Sequence, residues 1–222
     1  MTNSPLILYT TPLSSFSAKV RIAIAAKGLT VEERSPLGGS YRSAAYRAMV
    51  PSGTVPALVD REFILAESDA IIEYLDEEYP DPSIMPGDPR KRAIARALSR
   101  FHDFMIDPPL RRLFAQLDPA TRDSNAAATD AAEIQRRLDE LELLASPDPY
   151  LAGGRLSLAD CAYPASLALI DLILPELGRP VRYGRRIAAW RSLVERDRAV
   201  ASVMAPYRAT ASAWVGTKLQ GR

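Results

Sequence analysis

Residues 14 to 21 read Ser-Ser-Phe-Ser-Ala-Lys-Val-Arg and begin an apolar helical pattern that ends at Gly28. A short apolar run, 6–9, and the breaker Pro12 precede them, so the predicted local order is strand, turn and helix. Unpaired backbone N–H groups and the positive end of the helix dipole favour an anion at such a start. Two interpretations stay open: a serine only caps the helix, or its hydroxyl and the helix start bind a ligand.

Composition limits the functions that need considering. The chain has 222 residues, 47% of them hydrophobic, and 28 Lys+Arg against 27 Asp+Glu leave a net charge of +1. We therefore expect ordinary cores in one or two domains, with no field that attracts nucleic acid or a membrane. One cysteine and one histidine argue against a disulfide, a metal site and a Ser-His-Asp triad. Without a signal-peptide pattern or a uniformly apolar span, a cytoplasmic location is expected.

The first eighty residues predict a thioredoxin-like domain. Alternation over 29–34 predicts a second strand, and 41–49 a short helix. Residues 55–60 and 62–65 predict a hairpin, and 67–75 a helix that stops at Tyr79-Pro80. The order is βαβαββα over 1–80. Disulfide chemistry in such a domain needs Cys-x-x-Cys before the first helix, but residues 14–17 contain no thiol, which excludes redox exchange by the protein there.

The second part of the chain is predicted to be helical. A proline-dense segment, 81–89, predicts a linker, and 90–222 an all-helical domain. The fold class is thus α/β plus all-α, a thioredoxin-like domain followed by a helical bundle. Apolar spacing predicts helices over 90–117, 125–144, 158–174, 184–196 and 199–214.

Two more segments of the first domain have both a structural and a binding interpretation. Val55-Pro56 begins a strand, where a proline is tolerated at an edge, a bend or a ligand. Glu67-Ser68 begins a helix, where a hydroxyl and unpaired amides either cap the helix or form a carboxylate-binding nest.

Taken in order, the segments 14–21, Val55-Pro56 and 67–75 resemble the cytosolic glutathione S-transferase family. The serine-type zeta and tau classes are most similar, because they carry a Ser-x-x-x-x-x-Val-Arg pattern at the start of the first helix. The resemblance extends over the full length and is strongest before residue 80. It implies glutathione as cosubstrate, no metal, and a homodimer in which the first domain of one subunit meets the helical domain of the other.

The resemblance also implies roles for individual residues. Ser14 donates a hydrogen bond to the glutathione sulfur, Val55, before Pro56, pairs its backbone with the cysteinyl moiety, and Glu67 and Ser68 hold the γ-glutamyl carboxylate. Ser15 and Ser17 are alternative donors to the sulfur, and Tyr41 and Arg42 lie where the family binds the glycyl carboxylate, with Arg42 our candidate. Lowering a thiol pKa from 8.5 by about two units requires roughly 2.7 kcal/mol, and one charge-assisted hydrogen bond supplies about 1.5–3.

The expected activity is glutathione transfer to a small hydrophobic electrophile. Two departures from the zeta class, Phe16 in place of cysteine and 170–173 without the arginine that binds the substrate carboxylate, argue against maleylacetoacetate isomerisation. The alternatives are a glutathione- or ligand-binding module without turnover, and glutathione-dependent dehalogenation, ether cleavage or peroxide reduction. The candidates for an apolar electrophile pocket are Tyr9, Leu13, Phe16, Phe104 and Met105.

Three other residue signals have structural interpretations. Ser157 and Asp160 lie three apart before an apolar helix and predict a capping box. Cys161 is expected to be a small core residue and not a reactive thiol. His102 is expected to pack, because thiol activation by a serine hydroxyl needs no histidine.

Overall fold

The fold is described by a computed structural model for residues 6–221. Four strands form one mixed sheet in the order β2-β1-β3-β4. Their bounds are β1 Leu6–Tyr9, β2 Val31–Arg34, β3 Ala57–Asp60 and β4 Phe63–Ala66. Strand β2 is parallel to β1, and β3 is antiparallel to both β1 and β4. The predicted βαβαββα order is confirmed, whereas the domain limits stay a prediction.

The alternation of side chains along β1 divides the first domain into two layers. Leu6 and Leu8 pack with residues of α1 (Ser15–Lys27) and α3 (Ser68–Glu78) in the main core. Tyr9 faces the other side, where it forms a small cluster with Tyr46 of α2 (Ala44–Met49). The rings of Tyr9 and Tyr46 meet edge to face with centroids 5.8 Å apart. One helical layer therefore lies between the sheet and the rest of the molecule.

The remaining helices surround one apolar helix. Their bounds are α4 Pro89–Phe101, α5 Asp107–Leu113, α6 Ser124–Leu144, α7 Leu158–Glu176, α8 Arg185–Val194 and α9 Arg198–Leu219. Helix α7 is long and apolar enough to cross a membrane by composition alone, but 83% of its apolar window is buried inside the protein. It contacts α1, α4 and α9 and so forms the centre of the bundle. Cys161 on α7 is fully buried, as expected, and burial raises the pKa of its thiol.

The single helix predicted over 90–117 is interrupted. After α4, one wide turn of π-helix spans His102–Ile106, and α5 then begins. Pro108 and Pro109 lack the N–H groups that would bond the carbonyls of Phe104 and Met105 in an α-helix, which accounts for the irregular ladder. Such turns are frequent at functional sites. Here the turn carries Asp103 and Phe104 to a cavity wall.

The segment 81–89 is held in place by a buried ion pair. Lys27 Nζ lies 2.8 Å from Asp76 Oδ1 and donates to the carbonyl oxygen of Pro82, also at 2.8 Å. Asp76 Oδ1 also accepts a bond, 2.8 Å long, from the N–H of Ile84. Burial opposes ionisation of Asp76, yet these donors hold its pKa below the usual range. The predicted linker is therefore fastened to the end of α1.

Candidate functional site

A cavity of about 790 Å³ collects most of the predicted site residues. Ser14, Val55, Pro56, Glu67 and Ser68 all lie on its wall. The wall also includes Thr11, Leu13, Phe16, Tyr41, Gly53, Thr54, Asp69, Arg100, Asp103, Phe104, Arg111, Phe114 and Trp214. Residues far apart in the chain thus meet at one site, where the starts of α1 and α3 face α4, α5 and α9.

Ser14 is the N-cap of α1, and its hydroxyl group is still available as a hydrogen-bond donor. Its backbone is extended, with φ −71° and ψ 116°, and its Oγ accepts a bond of 3.1 Å from the N–H of Ser17. The capping bond uses an oxygen lone pair and leaves the O–H as a donor. Among the described residues, Ser14 Oγ donates to no protein group. The capping and binding interpretations of the sequence are therefore compatible.

The start of α3 is an open N-terminus on the same wall. Glu67 is the N-cap but makes no side-chain capping bond, and its φ of 73° is uncommon for a residue other than glycine. Within the described chain, the N–H groups of Ser68, Asp69 and Ala70 have no hydrogen-bond partner. These amides and the helix dipole favour a carboxylate at this point.

Val55 offers unused backbone groups between these two helix starts. The Val55-Pro56 peptide bond is cis. In residues 6–221 neither the N–H nor the C=O of Val55 has a hydrogen-bond partner. The preceding loop is fixed by the Tyr46 hydroxyl, which donates to the carbonyl oxygen of Thr54 over 2.9 Å. An extended peptide ligand can therefore pair with Val55 as with a strand edge.

The other sequence candidates lie elsewhere. Ser15 is buried and its Oγ lies 3.3 Å from both Asp107 Oδ1 and Arg111 Nη2, so it faces α5. Ser17 is fully buried, and its Oγ has no hydrogen-bond partner in the described part of the chain. Arg42 is exposed beside Tyr41, with its guanidinium 5.7 Å from the ring centroid, and it is Tyr41 that lies on the cavity wall.

A buried ion network supports the wall behind Ser14. The side chain of Lys19 is fully buried, and its Nζ lies 2.6 Å from Asp69 Oδ1 and 2.9 Å from Asp103 Oδ2. Asp69 belongs to α3 and Asp103 to the π-helical turn, so one ammonium group joins α1 to both. Asp69 accepts a further bond, 2.9 Å long, from the Ser99 hydroxyl.

The only histidine extends this network inward. His102 is fully buried, and its Nδ1 lies 2.7 Å from Asp103 Oδ1, while Nε2 lies 2.8 Å from Ser166 Oγ. Burial opposes ionisation of Asp103, but the His102 hydrogen bond and the Lys19 charge hold its pKa below the usual range. An ionised Asp103 only accepts hydrogen bonds, so His102 Nδ1 carries the proton. The expected packing role of His102 agrees with this burial.

The side of the cavity that α5 and α9 border is aromatic and contains residues that the sequence pattern did not predict. Of the five apolar candidates, Leu13, Phe16 and Phe104 lie on the wall, whereas Tyr9 packs on Tyr46 and Met105 lies off the wall. Phe114 and Trp214 complete it, with ring centroids 4.9 Å apart. The double proline 108–109 was a signal for the bend that brings α5 here. No sequence signal indicated which face of α9 points inward.

Of the two departures from the zeta class, Phe16 lies on the cavity wall, whereas the segment 170–173 lies outside the cavity. Asp171 bonds to Arg191 and to the Tyr183 hydroxyl, and Ile170 and Ile173 are fully buried in the bundle. None of the residues 170–173 is on the cavity wall. The arginines that do reach the wall are Arg100 and Arg111.

Comparison with known proteins agrees with this geometry. Residues 8–83 match the family model described as glutathione S-transferase, N-terminal domain. The chain is 30% identical to a stringent starvation protein A homolog of Coxiella burnetii over 203 residues, 90% of this chain and 92% of the relative. It is 36% identical to a probable maleylacetoacetate isomerase of Vibrio cholerae, over 72% and 79% of the two chains.

A solved structure extends the agreement to three dimensions. The holo structure of maleylpyruvate isomerase, described as a bacterial zeta-class glutathione S-transferase, is similar with a TM-score of 0.73 and 29% identity. The similarity covers 89% of this chain and 95% of that one. By its full-length relatives, its N-terminal family match and its fold, the chain belongs to the glutathione S-transferase family.

Proposed function

We propose that this protein is a glutathione transferase in which the Ser14 hydroxyl stabilises the glutathione thiolate for attack on a small hydrophobic electrophile. The observation that carries the proposal is the convergence of three donors and acceptors on one cavity. They are the uncommitted O–H of Ser14, the unpaired backbone of Val55 and the open start of α3 at Glu67-Ser68.

Each group matches one part of an extended tripeptide. The α3 amides suit the γ-glutamyl carboxylate, the Val55 backbone suits the cysteinyl peptide groups, and Ser14 suits the sulfur. Tyr41, on the wall, joins Arg42 as our candidate for the glycyl carboxylate. Ser15 takes no part in this proposal, because its hydroxyl is bonded toward α5.

The charge requirements of thiol activation fit these groups. A serine hydroxyl lowers the thiol pKa by donating a hydrogen bond, so it need not lose its own proton. The dipole of α1, whose N-terminus Ser14 caps, acts in the same direction. Leu13, Phe16, Phe114 and Trp214 line the space next to the sulfur position and suit an apolar substrate.

The proposal predicts glutathione binding together with turnover. Calorimetry measures glutathione binding, and the loss of free thiol in the presence of aryl halides, epoxides and peroxides measures turnover. We expect saturable binding and consumption of one glutathione per molecule of conjugate. Binding without turnover across the panel supports the alternative of a ligand-binding module, and absence of glutathione binding contradicts both.

The names of the relatives favour isomerisation as a second candidate, because two of the similar proteins are called isomerases. In such a reaction the thiolate adds to a double bond, the molecule rotates, and elimination returns glutathione. The absence of an arginine at 170–173 weighs against it. Glutathione balance separates the two reactions, because transfer consumes glutathione and isomerisation regenerates it.

We also propose a homodimer. Phe63 and Ile64 on β4 are 48% and 42% exposed, and Ile94 on α4 is 48% exposed. These side chains lie in the first domain and in the helical domain, as the proposed contact between subunits requires. Light scattering at micromolar concentration is expected to give twice the chain mass, and Phe63→Ser or Ile94→Ser to shift it toward the monomer. Leu143→Ser is the control, because Leu143 is an exposed leucine on α6, 77% accessible, away from the proposed contact. A monomeric wild type contradicts the proposal.

A further inference from the structure

The guanidinium groups of Arg100 and Arg111 border the aromatic side of the cavity. They differ in how many of their hydrogen-bond donors are already paired with protein acceptors. Arg111 is held by Asp107, with Nε 2.5 Å from Oδ2, and its guanidinium lies 5.2 Å from the Phe16 ring centroid. Its side chain is still 46% exposed, so part of its fork of donors stays accessible. Arg100 is exposed, and no acceptor or carboxylate within the described chain pairs with it.

The carboxylates on this wall either form ion pairs within the protein or lie at the start of α3, away from the two arginines in the proposed site. Asp69 and Asp103 share the buried ammonium of Lys19. Glu67 lies at the start of α3, where the proposed glutathione carboxylate binds. The space bordered by Arg100 and Arg111 therefore has unused cationic donors and no unpaired carboxylate of its own.

Aromatic rings share the cavity wall with both arginines. The Arg111 guanidinium lies 5.2 Å from the Phe16 ring centroid, and Phe104 and Phe114 line the same cavity as Arg100 and Arg111. Apolar rings beside a guanidinium lower the local dielectric constant and strengthen a charge-assisted hydrogen bond. A flat ring bearing an anionic group satisfies both features at once.

We infer that the electrophile of this enzyme is an aromatic compound with a carboxylate substituent, whose ring packs on Phe104, Phe114 and Trp214 and whose carboxylate binds Arg100 and Arg111. This inference rests on the proposed transfer function. In the transfer itself the thiol proton passes to solvent, the S–C bond forms, the bond from carbon to the halide breaks, and the halide leaves with its electron pair. The two arginines act on binding and orientation and not on the thiol.

The test compares 4-chloro-3-nitrobenzoate with its neutral methyl ester. Because the two differ in intrinsic reactivity, the measured quantity is kcat/KM divided by the rate constant for glutathione alone. We expect this acceleration to be about tenfold larger for the carboxylate, since one charge-assisted hydrogen bond is worth at least that factor. Equal acceleration, or a larger one for the ester, overturns the inference while leaving the transferase function intact.

Variants locate the effect. Arg100→Gln is expected to lower the acceleration of the carboxylate about tenfold and that of the ester less than twofold, because Arg100 has no protein partner in the described chain to disturb. Arg90→Gln is the matched control: it removes the same charge from the same helix, about 15 Å along its axis. Equal losses on both substrates in Arg100→Gln, or the same loss in Arg90→Gln, contradict the inference.

A binding experiment makes the inference independent of turnover. The preformed glutathione conjugates of the two compounds are titrated by calorimetry into wild type and Arg100→Gln. Tighter binding of the carboxylate conjugate, abolished in Arg100→Gln, supports the anion site even if no turnover is seen, in which case the transferase proposal alone fails. Equal affinities for the two conjugates reject the anion site.

Discussion

Ser14→Gly is expected to lower kcat/KM for an aryl halide about 25-fold at pH 7 and to leave it nearly unchanged above pH 9. In the proposed mechanism the hydroxyl lowers the thiol pKa by about two units from 8.5, so its loss would reduce the ionised fraction at pH 7 from roughly three-quarters to about 3%. Glycine is chosen because it replaces a serine N-cap at a cost of only a few tenths of a kcal/mol, whereas alanine costs about 1. A loss of activity in Ser14→Gly is then not a loss of the helix.

The pH profile is the decisive measurement for Ser14. The apparent pKa of wild-type kcat/KM should lie near 6.5, and that of Ser14→Gly should move up toward 8.5, because the hydroxyl donor is lost and only the α1 dipole still favours the thiolate. Ser14→Thr retains both the cap and the hydroxyl and should keep the wild-type profile. Coincident profiles for wild type and Ser14→Gly would falsify the assignment; a shifted profile in Ser15→Ala alone would move it to Ser15.

The adjacent serines illustrate what a sequence predicts about a site. Ser14 and Ser15 are equivalent as residue types at a helix start, and both suit a cap or a ligand donor. Successive positions on a helix point about 100° apart, so only the packing of α5 decides that Ser15 faces Asp107. The local pattern thus predicts the helix start, and tertiary contacts select the residue that faces the cavity.

Distance along the chain also limits how well the residues of a site can be predicted from the sequence. The segments at 14, 55 and 67 belong to one βαβαββα unit, whose right-handed crossover and hairpin bring them together by rule. Arg111 and Trp214 come from helices whose rotation depends on side-chain packing against α7 and α1. Helical periodicity predicted the positions of those helices and their apolar faces. It does not indicate which residue at the border of an apolar face lines a cavity.

Asp160→Ala is expected to lower the free energy of unfolding by about 4 kcal/mol, because it leaves several buried hydrogen-bond donors without an acceptor at once. Asp160 is fully buried and accepts from the N–H of Leu151 at 2.9 Å, from the N–H and hydroxyl of Ser157 at 2.9 and 2.8 Å, and from Trp190 Nε1 at 2.8 Å. Burial raises the pKa of this carboxyl, but its removal leaves the Leu151 and Trp190 donors without water or partner.

The matched variant for Asp160 is Ser157→Ala. The predicted capping box is present at the start of α7, and losing its serine should cost about 1 kcal/mol. Urea unfolding followed by tryptophan fluorescence, to which Trp190 and Trp214 both contribute, measures the free energy of unfolding of both variants. A loss in Asp160→Ala no larger than in Ser157→Ala contradicts the account. Helix α7 packs on α1, whose N-terminus Ser14 caps. A destabilised α7 should therefore weaken glutathione binding only near the unfolding transition, and kcat per folded molecule at low temperature should stay at the wild-type value.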